Sequence, residues 1–238
     1  MKIAVLGDIH GNIEALKSAY EVVLSREVDK IYHLGDVGGY APFVNEAVDF
    51  LIEHKIEGVQ GNYDYNTAAD SEHCGCKYED PVQAEFADRS FAWTKKHASE
   101  RSKVFMRDLP ETLSFSANGK RVLLFHAAPH KNNLYWYEDR PEKFFLEMAG
   151  KTSADIMIYG HTHRHYRKDI AGKVFINAGS VGKPKDGDPR ACVALIEITP
   201  LKISSEFLRV SYDVDKTAIA IIESGLPSYF ADRLREAR

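Results

Sequence analysis

Eight acid, amide and imidazole side chains stand out between Asp8 and His163 as candidates to hold a divalent cation: Asp8, His10, Asp36, Asn62, Asp64, His126, His161 and His163. Carboxylate, imidazole and amide oxygen together suit manganese, iron, nickel or zinc, whereas an all-oxygen cage would suit calcium or magnesium. No thiolate falls among them, which speaks against a structural zinc site. Asp8 and Asp36, as anionic ligands, would offset part of the charge of two dications. A carboxylate shared between two metals helps hold them about 3.5–4 Å apart in hydrolytic sites, so one of the two is expected to bridge. Taken singly, Asp8-Ile9-His10, Gly35-Asp36 and Gly61-Asn62-Tyr63-Asp64 also read as turns or caps. Gly160-His161-Thr162-His163 is harder to assign to packing, and the joint pattern carries the chemistry.

Convergence of these residues depends on the elements before them. Lys2 to Leu6, Ile31 to Leu34 and Ile56 to Val59 are short apolar runs that stop at glycine or meet one at once, as buried strands do. Helical periodicity fills the gaps, from Asn12 to about Arg26 and from Phe43 to His54. Strand, helix, strand at these lengths implies parallel pairing with right-handed crossovers. The stretch from Pro81 to about Leu109 is helical in pattern, with Ala84, Phe86, Ala87, Phe91, Ala92 and Trp93 as its apolar face. Thr112 to Ser116 and Arg121 to Phe125 flank Asn118-Gly119 as a hairpin. Ile156 to Tyr159, Tyr166 to Ile170, Val174 to Ile176, Cys192 to Ile198 and Ile203 to Val210 read as further strands, and the end from Val214 as amphipathic helix. Each candidate ligand lies just past the carboxyl end of a strand, where open α/β sheets bind ligands.

The chain has 238 residues, 44% hydrophobic and 28% charged, with a formal net charge of −4. That is enough for one substantial core, and one domain spanning 1–238 is expected. A lid or subunit contact, and with it a homo-oligomer, is the expectation for 65–110. No basic stripe is present, so long nucleic acid is not an expected partner. No apolar run reaches the roughly 20 residues that cross a bilayer, and Met1 to Leu6 lacks the length and basic start of a signal peptide. Three cysteines make no disulfide framework, and a cytoplasmic setting is expected.

The set Gly7-Asp8-Ile9-His10-Gly11-Asn12, Gly35-Asp36, Gly61-Asn62-Tyr63-Asp64, His126 and Gly160-His161-Thr162-His163 resembles the calcineurin-like metallophosphoesterases, and within them the small prokaryotic phosphodiesterase branch. The turn Asn177-Ala178-Gly179-Ser180-Val181-Gly182 extends the likeness. The resemblance implies an α/β fold, a four-layer αββα sandwich with two mixed β-sheets. It implies two divalent metal ions, one held by Asp8, His10 and His163, the other by Asn62, His126 and His161, with Asp36 bridging. Asp8, Asp36, Asn62, Asp64 and His126 would be the catalytic set, Asp64 orienting a neighbour by hydrogen bond. The reaction implied is hydrolysis of small phosphodiesters or activated phosphomonoesters by a metal-bridging hydroxide. A nuclease acting on short oligonucleotides and a non-enzymatic, metal-stabilised scaffold are the alternatives.

Two positions depart from the family pattern. Many relatives carry histidine where this chain has Tyr63, and a phenol with an ordinary pKa of about 10 is a poor proton donor to a leaving group. Ala127 follows His126 where relatives often show glycine. Asn12, Tyr40, Tyr63 and His130 are the expected substrate contacts, with Tyr65 and Tyr135-Trp136-Tyr137 as either substrate wall or core. His33 reads as a core residue, His165 as a rim or outward-facing residue, and His73-Cys74-Gly75-Cys76 as a loop, with a redox-active cysteine pair as the alternative. The Gly179-Ser180 turn either offers backbone amides near the metals or closes a hairpin.

Overall fold

In the computed structural model, which describes residues 1–78 and 80–238, two five-stranded sheets stack face to face between helices. The first sheet has β1 (Lys2–Leu6), β2 (Lys30–His33) and β3 (Glu57–Gly58) parallel to one another. The antiparallel pair β9 (Ala191–Ile198) and β10 (Ile203–Val210) joins at the β1 edge, giving the order β10-β9-β1-β2-β3. The second runs β4 (Thr112–Ala117), β5 (Lys120–Phe125), β6 (Ile156–Tyr159), β8 (Lys173–Asn177), β7 (Tyr166–Ile170). Here β5, β6 and β8 are parallel, and the hairpin partners β4 and β7 close the edges. Both sheets are mixed, as expected.

Period-two alternation decides which layer each strand residue joins. Ile3 and Val5 of β1 enter the cluster between the sheets, against Val122, Leu124, Ile156, Ile158 and Ile176. Ala4 and Leu6 face the other way, onto Leu16 and Ala19 of α1 (Ile13–Leu24) and Val48 and Leu51 of α2 (Val44–Glu53). The outer face of the second sheet buries Phe125, Met157, Tyr159 and Phe175 under Trp136 and under Phe145 of α6 (Glu142–Ala149). The layers run helix, sheet, sheet, helix. The last is thin: one short helix and an aromatic loop.

Three local readings change. Gly61-Asn62-x-Asp64 is not a free turn but the start of α3 (Asn62–Ala68), where Asp64 accepts the Gly61 N–H at 2.8 Å. The stretch from Pro81 to Leu109 is two helices, α4 (Pro81–His97) and α5 (Glu100–Asp108), because Ala98 and Ser99 are extended and the Ser99 hydroxyl caps α5 by accepting the Ser102 N–H. On α4 the buried stripe is Ala87, Ser90, Phe91 and Thr94. Ala92, expected on it, is rotated one residue away and is exposed. The sequence reading also passed over α6. The segment 65–110 packs inward through Phe91 and Met106. With α7 (Val214–Glu223) and α8 (Tyr229–Glu236), α4 encloses a fourth cluster around Tyr40 and Tyr63. Among the described residues no helix is long and apolar enough to cross a membrane.

Candidate metal centre

All seven candidate ligands emerge from the carboxyl ends of parallel strands: Asp8 and His10 after β1, Asp36 after β2, Asn62 after β3, His126 after β5, His161 and His163 after β6. The turns that carry them are strained. Asp8, His10, Asp36, His161 and His163 all have positive φ, between 47° and 66°. A non-glycine residue held there costs about 1–3 kcal/mol and persists only where its surroundings overdetermine it. Those surroundings are visible. The His10 N–H donates to the Asp36 carbonyl at 2.8 Å, tying the first turn to the second. The Asn177–Gly182 turn clamps the first turn from the other side: Val181 N–H donates to Gly7 O at 2.7 Å, and the Ser180 hydroxyl donates to Asp8 O at 2.8 Å. That turn therefore buttresses Asp8. Two glycines allow the carboxylates in, since a Cβ on Gly160 would lie 2.4 Å from Asp8 Oδ2 and one on Gly61 would lie 2.2 Å from Asp36 Oδ1.

The side chains gather into two groups, Asp8 with His10 and His163, and Asp36 with His126 and His161, the donor atoms of each lying within 4.8 Å of one another. In the first, Asp8 Oδ1 is 3.5 Å from His163 Nε2, and the Nε2 atoms of His10 and His163 are 3.1 Å apart. In the second, His126 Nε2 lies 3.0 Å from Asn62 Oδ1 and 3.1 Å from His161 Nδ1. Asp36 Oδ2 sits between the groups, 3.8 Å from His10 Nε2 and 3.5 Å from His126 Nε2.

Hydrogen bonding on the far side of each ring argues for cations. His10, His126 and His163 turn Nδ1 toward the backbone carbonyls of Gly38, Leu34 and Lys183, at 3.0, 2.8 and 2.6 Å. A carbonyl only accepts, so each Nδ1 carries the proton and each Nε2 presents a lone pair inward. Two lone pairs facing at 3.1 Å, as in His10 and His163, repel unless a cation lies between them. Burial reinforces this, pulling the pKa of His10, His161 and His163 well below the imidazole range and keeping them in the ligand form. Burial also pushes Asp8 up to about 7, and burial with neighbouring Asp64 raises Asp36 well above the carboxylate range. Both acids must lose their protons when cations bind. The donor set fits divalent transition metals.

The remaining expected site residues divide. Asp64 touches no imidazole. Its carboxylate accepts the N–H groups of Asp36, Val37 and Gly61 at 2.7, 2.9 and 2.8 Å. Tyr63 is buried, its ring 5.5 Å from that of His10 and its hydroxyl without a hydrogen-bond partner among the described residues. Tyr40 is buried too, edge-on to His10 at 4.7 Å with its hydroxyl 2.9 Å from that of Tyr78, so it backs the site instead of opening onto solvent. The expectation that Asn12 meets substrate is corrected. Its Oδ1 accepts from Ala15 N–H and the Thr217 hydroxyl, and its Nδ2 donates to Gly182 O and the Tyr212 hydroxyl, leaving nothing to offer a ligand. Exposed His130 lines a cavity of about 370 Å³ whose walls include His126 and Tyr65. Of the aromatic run, Trp136 is core while Tyr135 covers His161, ring centroids 4.3 Å apart. His33 is buried core and His165 binds Asp186 on the rim.

Sequence reasoning missed Cys76. Its sulfur accepts a hydrogen bond from Asn62 Nδ2 at 3.2 Å, beside the Cys74 carbonyl that accepts from the same nitrogen at 2.8 Å. Together they aim the Asn62 oxygen at His126. The loop reading of residues 73–76 holds, yet the loop orients a ligand.

Residues 1–200 match the family described as the calcineurin-like phosphoesterase superfamily domain. The chain is 29% identical to the uncharacterized protein MJ0912 of Methanocaldococcus jannaschii over 98% of its own length and 96% of that protein's. A metallophosphoesterase from Sphaerobacter thermophilus is similar in structure, with a TM-score of 0.79 at 25% identity over 100% of this chain and 99% of the other. The hypothetical protein PH1004 of Pyrococcus horikoshii OT3 shares the fold, with a TM-score of 0.85 at 20% identity over 100% and 98%.

Proposed function

The chain belongs to the calcineurin-like phosphoesterase superfamily, a metal-dependent phosphoric ester hydrolase by that membership, and we propose on this footing that it hydrolyses small phosphodiesters or activated phosphomonoesters at a two-metal centre. The observation that carries the two-metal reading is the position of Asp36 Oδ2, within 3.8 Å of His10 Nε2 and 3.5 Å of His126 Nε2. A carboxylate oxygen shared by two imidazole groups is what a bridging ligand requires.

Asp8, His10 and His163 would hold one ion and Asn62, His126 and His161 the other, with Asp36 common to both. Such ions supply activation of a water at neutral pH and neutralisation of charge on the phosphoryl oxygens. The chain's own residues do the rest. Asp64 fixes the Asp36 turn, the three Nδ1-to-carbonyl bonds fix the rings, and Tyr63 and Tyr40 exclude water from the His10 side. No serine or cysteine needs to attack. The cavity that His126 lines together with His130 and Tyr65 would be the way in for a small ester. A net charge of −4 weighs against a long nucleic-acid substrate. All three cysteines are free thiols, in keeping with action in the reducing cytoplasm.

The test is hydrolysis of bis-p-nitrophenyl phosphate and p-nitrophenyl phosphate by metal-stripped protein, with manganese, nickel, iron(II), zinc or magnesium restored singly and Asp36→Asn alongside. Activity that needs a transition metal, favours the diester and collapses in the variant supports the proposal. A folded, two-ion protein that turns over neither ester with any metal would leave the binding scaffold as the better account.

A further inference from the structure

Of the three cysteines, Cys192 is sealed in β9, where burial pushes its thiol up to about 12 and leaves it inert. Cys74 and Cys76 differ from it in place and in company. They lie on the loop after α3, Cys74 buried and Cys76 half-buried, with Gly75 between them at a φ of 80°. Glycine takes that left-handed conformation without strain, and it folds the chain back on itself. The Cys76 N–H donates to Cys74 Sγ at 3.4 Å, and the two thiols interact directly. Two virtual Cα bonds of about 3.8 Å, bent at Gly75, keep the pair inside the roughly 6.8 Å that a disulfide spans.

This loop serves one metal group. Cys76 Sγ and the Cys74 carbonyl both accept from Asn62 Nδ2, at 3.2 and 2.8 Å, and the same carbonyl accepts from Asn66 Nδ2 at 3.0 Å. Further along, the Lys77 carbonyl accepts the Tyr135 hydroxyl at 3.5 Å, and the Tyr135 ring covers His161. Asn62 is thus aimed, and His161 roofed, from a single short segment. Among the described residues, Asp8, His10 and His163 take no hydrogen bond from it. A chemical change at the two sulfurs would therefore reach one ion and spare the other.

We propose that Cys74 and Cys76 are a modification site for peroxide, closing to a reversible disulfide that releases Asn62 and weakens the ion held with His126 and His161. The inference rests on the two-metal reading above, in which Asn62 is a ligand. Half-buried Cys76 meets the oxidant first. Its sulfur attacks one peroxide oxygen, the O–O bond breaks, and a sulfenic acid and one water result. The Cys74 sulfur then attacks Cys76 Sγ, the S–O bond breaks, and the hydroxyl leaves with the Cys74 proton as a second water. Two thiols have given up two electrons, and one peroxide has become two waters. In the disulfide, Cys76 Sγ turns toward Cys74 and away from Asn62, and ring closure through Gly75 pulls on the Cys74 carbonyl as well. Losing contacts that orient a ligand weakens a metal about 10–100-fold. So small a ring is strained, which keeps the bond easy to reduce by thiol exchange.

The experiment treats full-length, metal-stripped protein with hydrogen peroxide, removes the excess with catalase, and compares it with the dithiothreitol-reduced form. Peptide mapping should find one disulfide, between Cys74 and Cys76, with Cys192 still open to alkylation after unfolding. Manganese, an ion that thiolates do not favour, is then titrated by calorimetry. Reduced protein should bind two ions. Oxidised protein should bind one of them at least tenfold more weakly and the other nearly unchanged, with dithiothreitol restoring both affinities. Cys74→Ala keeps the backbone carbonyl but lacks the second sulfur. Its Cys76 should pass on to the sulfinic acid, which dithiothreitol does not reverse. Failure to find the Cys74–Cys76 bond overturns the proposal, as does recovery in Cys74→Ala equal to that of wild type. Two ions bound with affinities untouched by a mapped disulfide strike the switch alone, whereas reduced wild type that binds a single ion strikes the two-metal reading and the switch together.

Discussion

The Asp64 carboxylate accepts the backbone N–H of Asp36 at 2.7 Å, while the N–H of Tyr63, next to Asp64 in α3, donates back to Asp36 Oδ1 at 2.8 Å. This reciprocal tie holds Asp36 at a φ of 49° and leaves Oδ2 free to face both imidazole groups. The first residue of the metal centre to be decided by its neighbours is thus the one on which the two-metal reading depends.

Asp64→Asn should loosen that tie. An amide can keep only part of the acceptor capacity that three buried N–H groups use, and leaving one unsatisfied costs about 1–3 kcal/mol. Metal affinity should fall about 10–100-fold, the usual effect of removing a group that orients a ligand. Thermal melts and a metal titration measure both. Unchanged affinity in a destabilised protein would reduce Asp64 to a purely structural role.

Cys76→Ala should act on one metal group only. Asn62 would lose one of two partners for Nδ2 while keeping the Cys74 carbonyl. The ion held with His126 and His161 should weaken toward the lower end of the about 10–100-fold range, with the ion at Asp8, His10 and His163 nearly unaffected. Two resolved binding steps in a calorimetric titration would report this, and equal weakening of both would argue against it.

Tyr63→His tests proton donation. The Tyr63 phenol is buried, and burial holds its pKa well above the ordinary value. An imidazole there should speed hydrolysis of alkyl esters by at least tenfold, short of the about 10²–10⁴-fold that a well-placed general acid supplies. Rates on p-nitrophenyl esters should move little. An alkyl-ester rate identical to wild type would count against any leaving-group role at this position.

Asp186 sets an acid limit on stability. Burial alone would raise its pKa, but hydrogen bonds from His165 and Arg209 outweigh that and bring it down to about 2 from 3.8. Between those values the unfolded chain binds more protons than the folded one, so stability rises with pH there. The contribution is fully present above about pH 4 and is lost as pH falls toward 2. Asp186→Asn should melt lower than wild type at pH 6 and converge with it near pH 2. A constant difference across that range would exclude the linkage.

Much of this arrangement was legible before any fold was known. Short apolar runs ended by glycine report buried strands, because burial on both faces leaves no place for polar alternation. The strand-end positions of Asp8, Asp36, His126 and His161 follow from the same runs. Local pattern failed where one side chain serves two masters. Asn12 carries a donor and an acceptor and looks like a ligand contact, but it caps α1 and ties β1 to α7 across the fold. Gly61-Asn62-Tyr63-Asp64 looks like a turn, yet it opens α3, with Asp64 accepting the Gly61 N–H.

Only the tertiary structure decided what depends on distant segments meeting. It inserted β9 between β1 and β10, set the clamp turn on Asp8 and brought Cys76 to Asn62. Amino-acid type determines which chemistry a side chain can perform, and strand periodicity determines which end of the sheet it leaves from. Its partners, and therefore whether it is saturated or available, are set by packing between residues far apart in the chain, which no local pattern encodes.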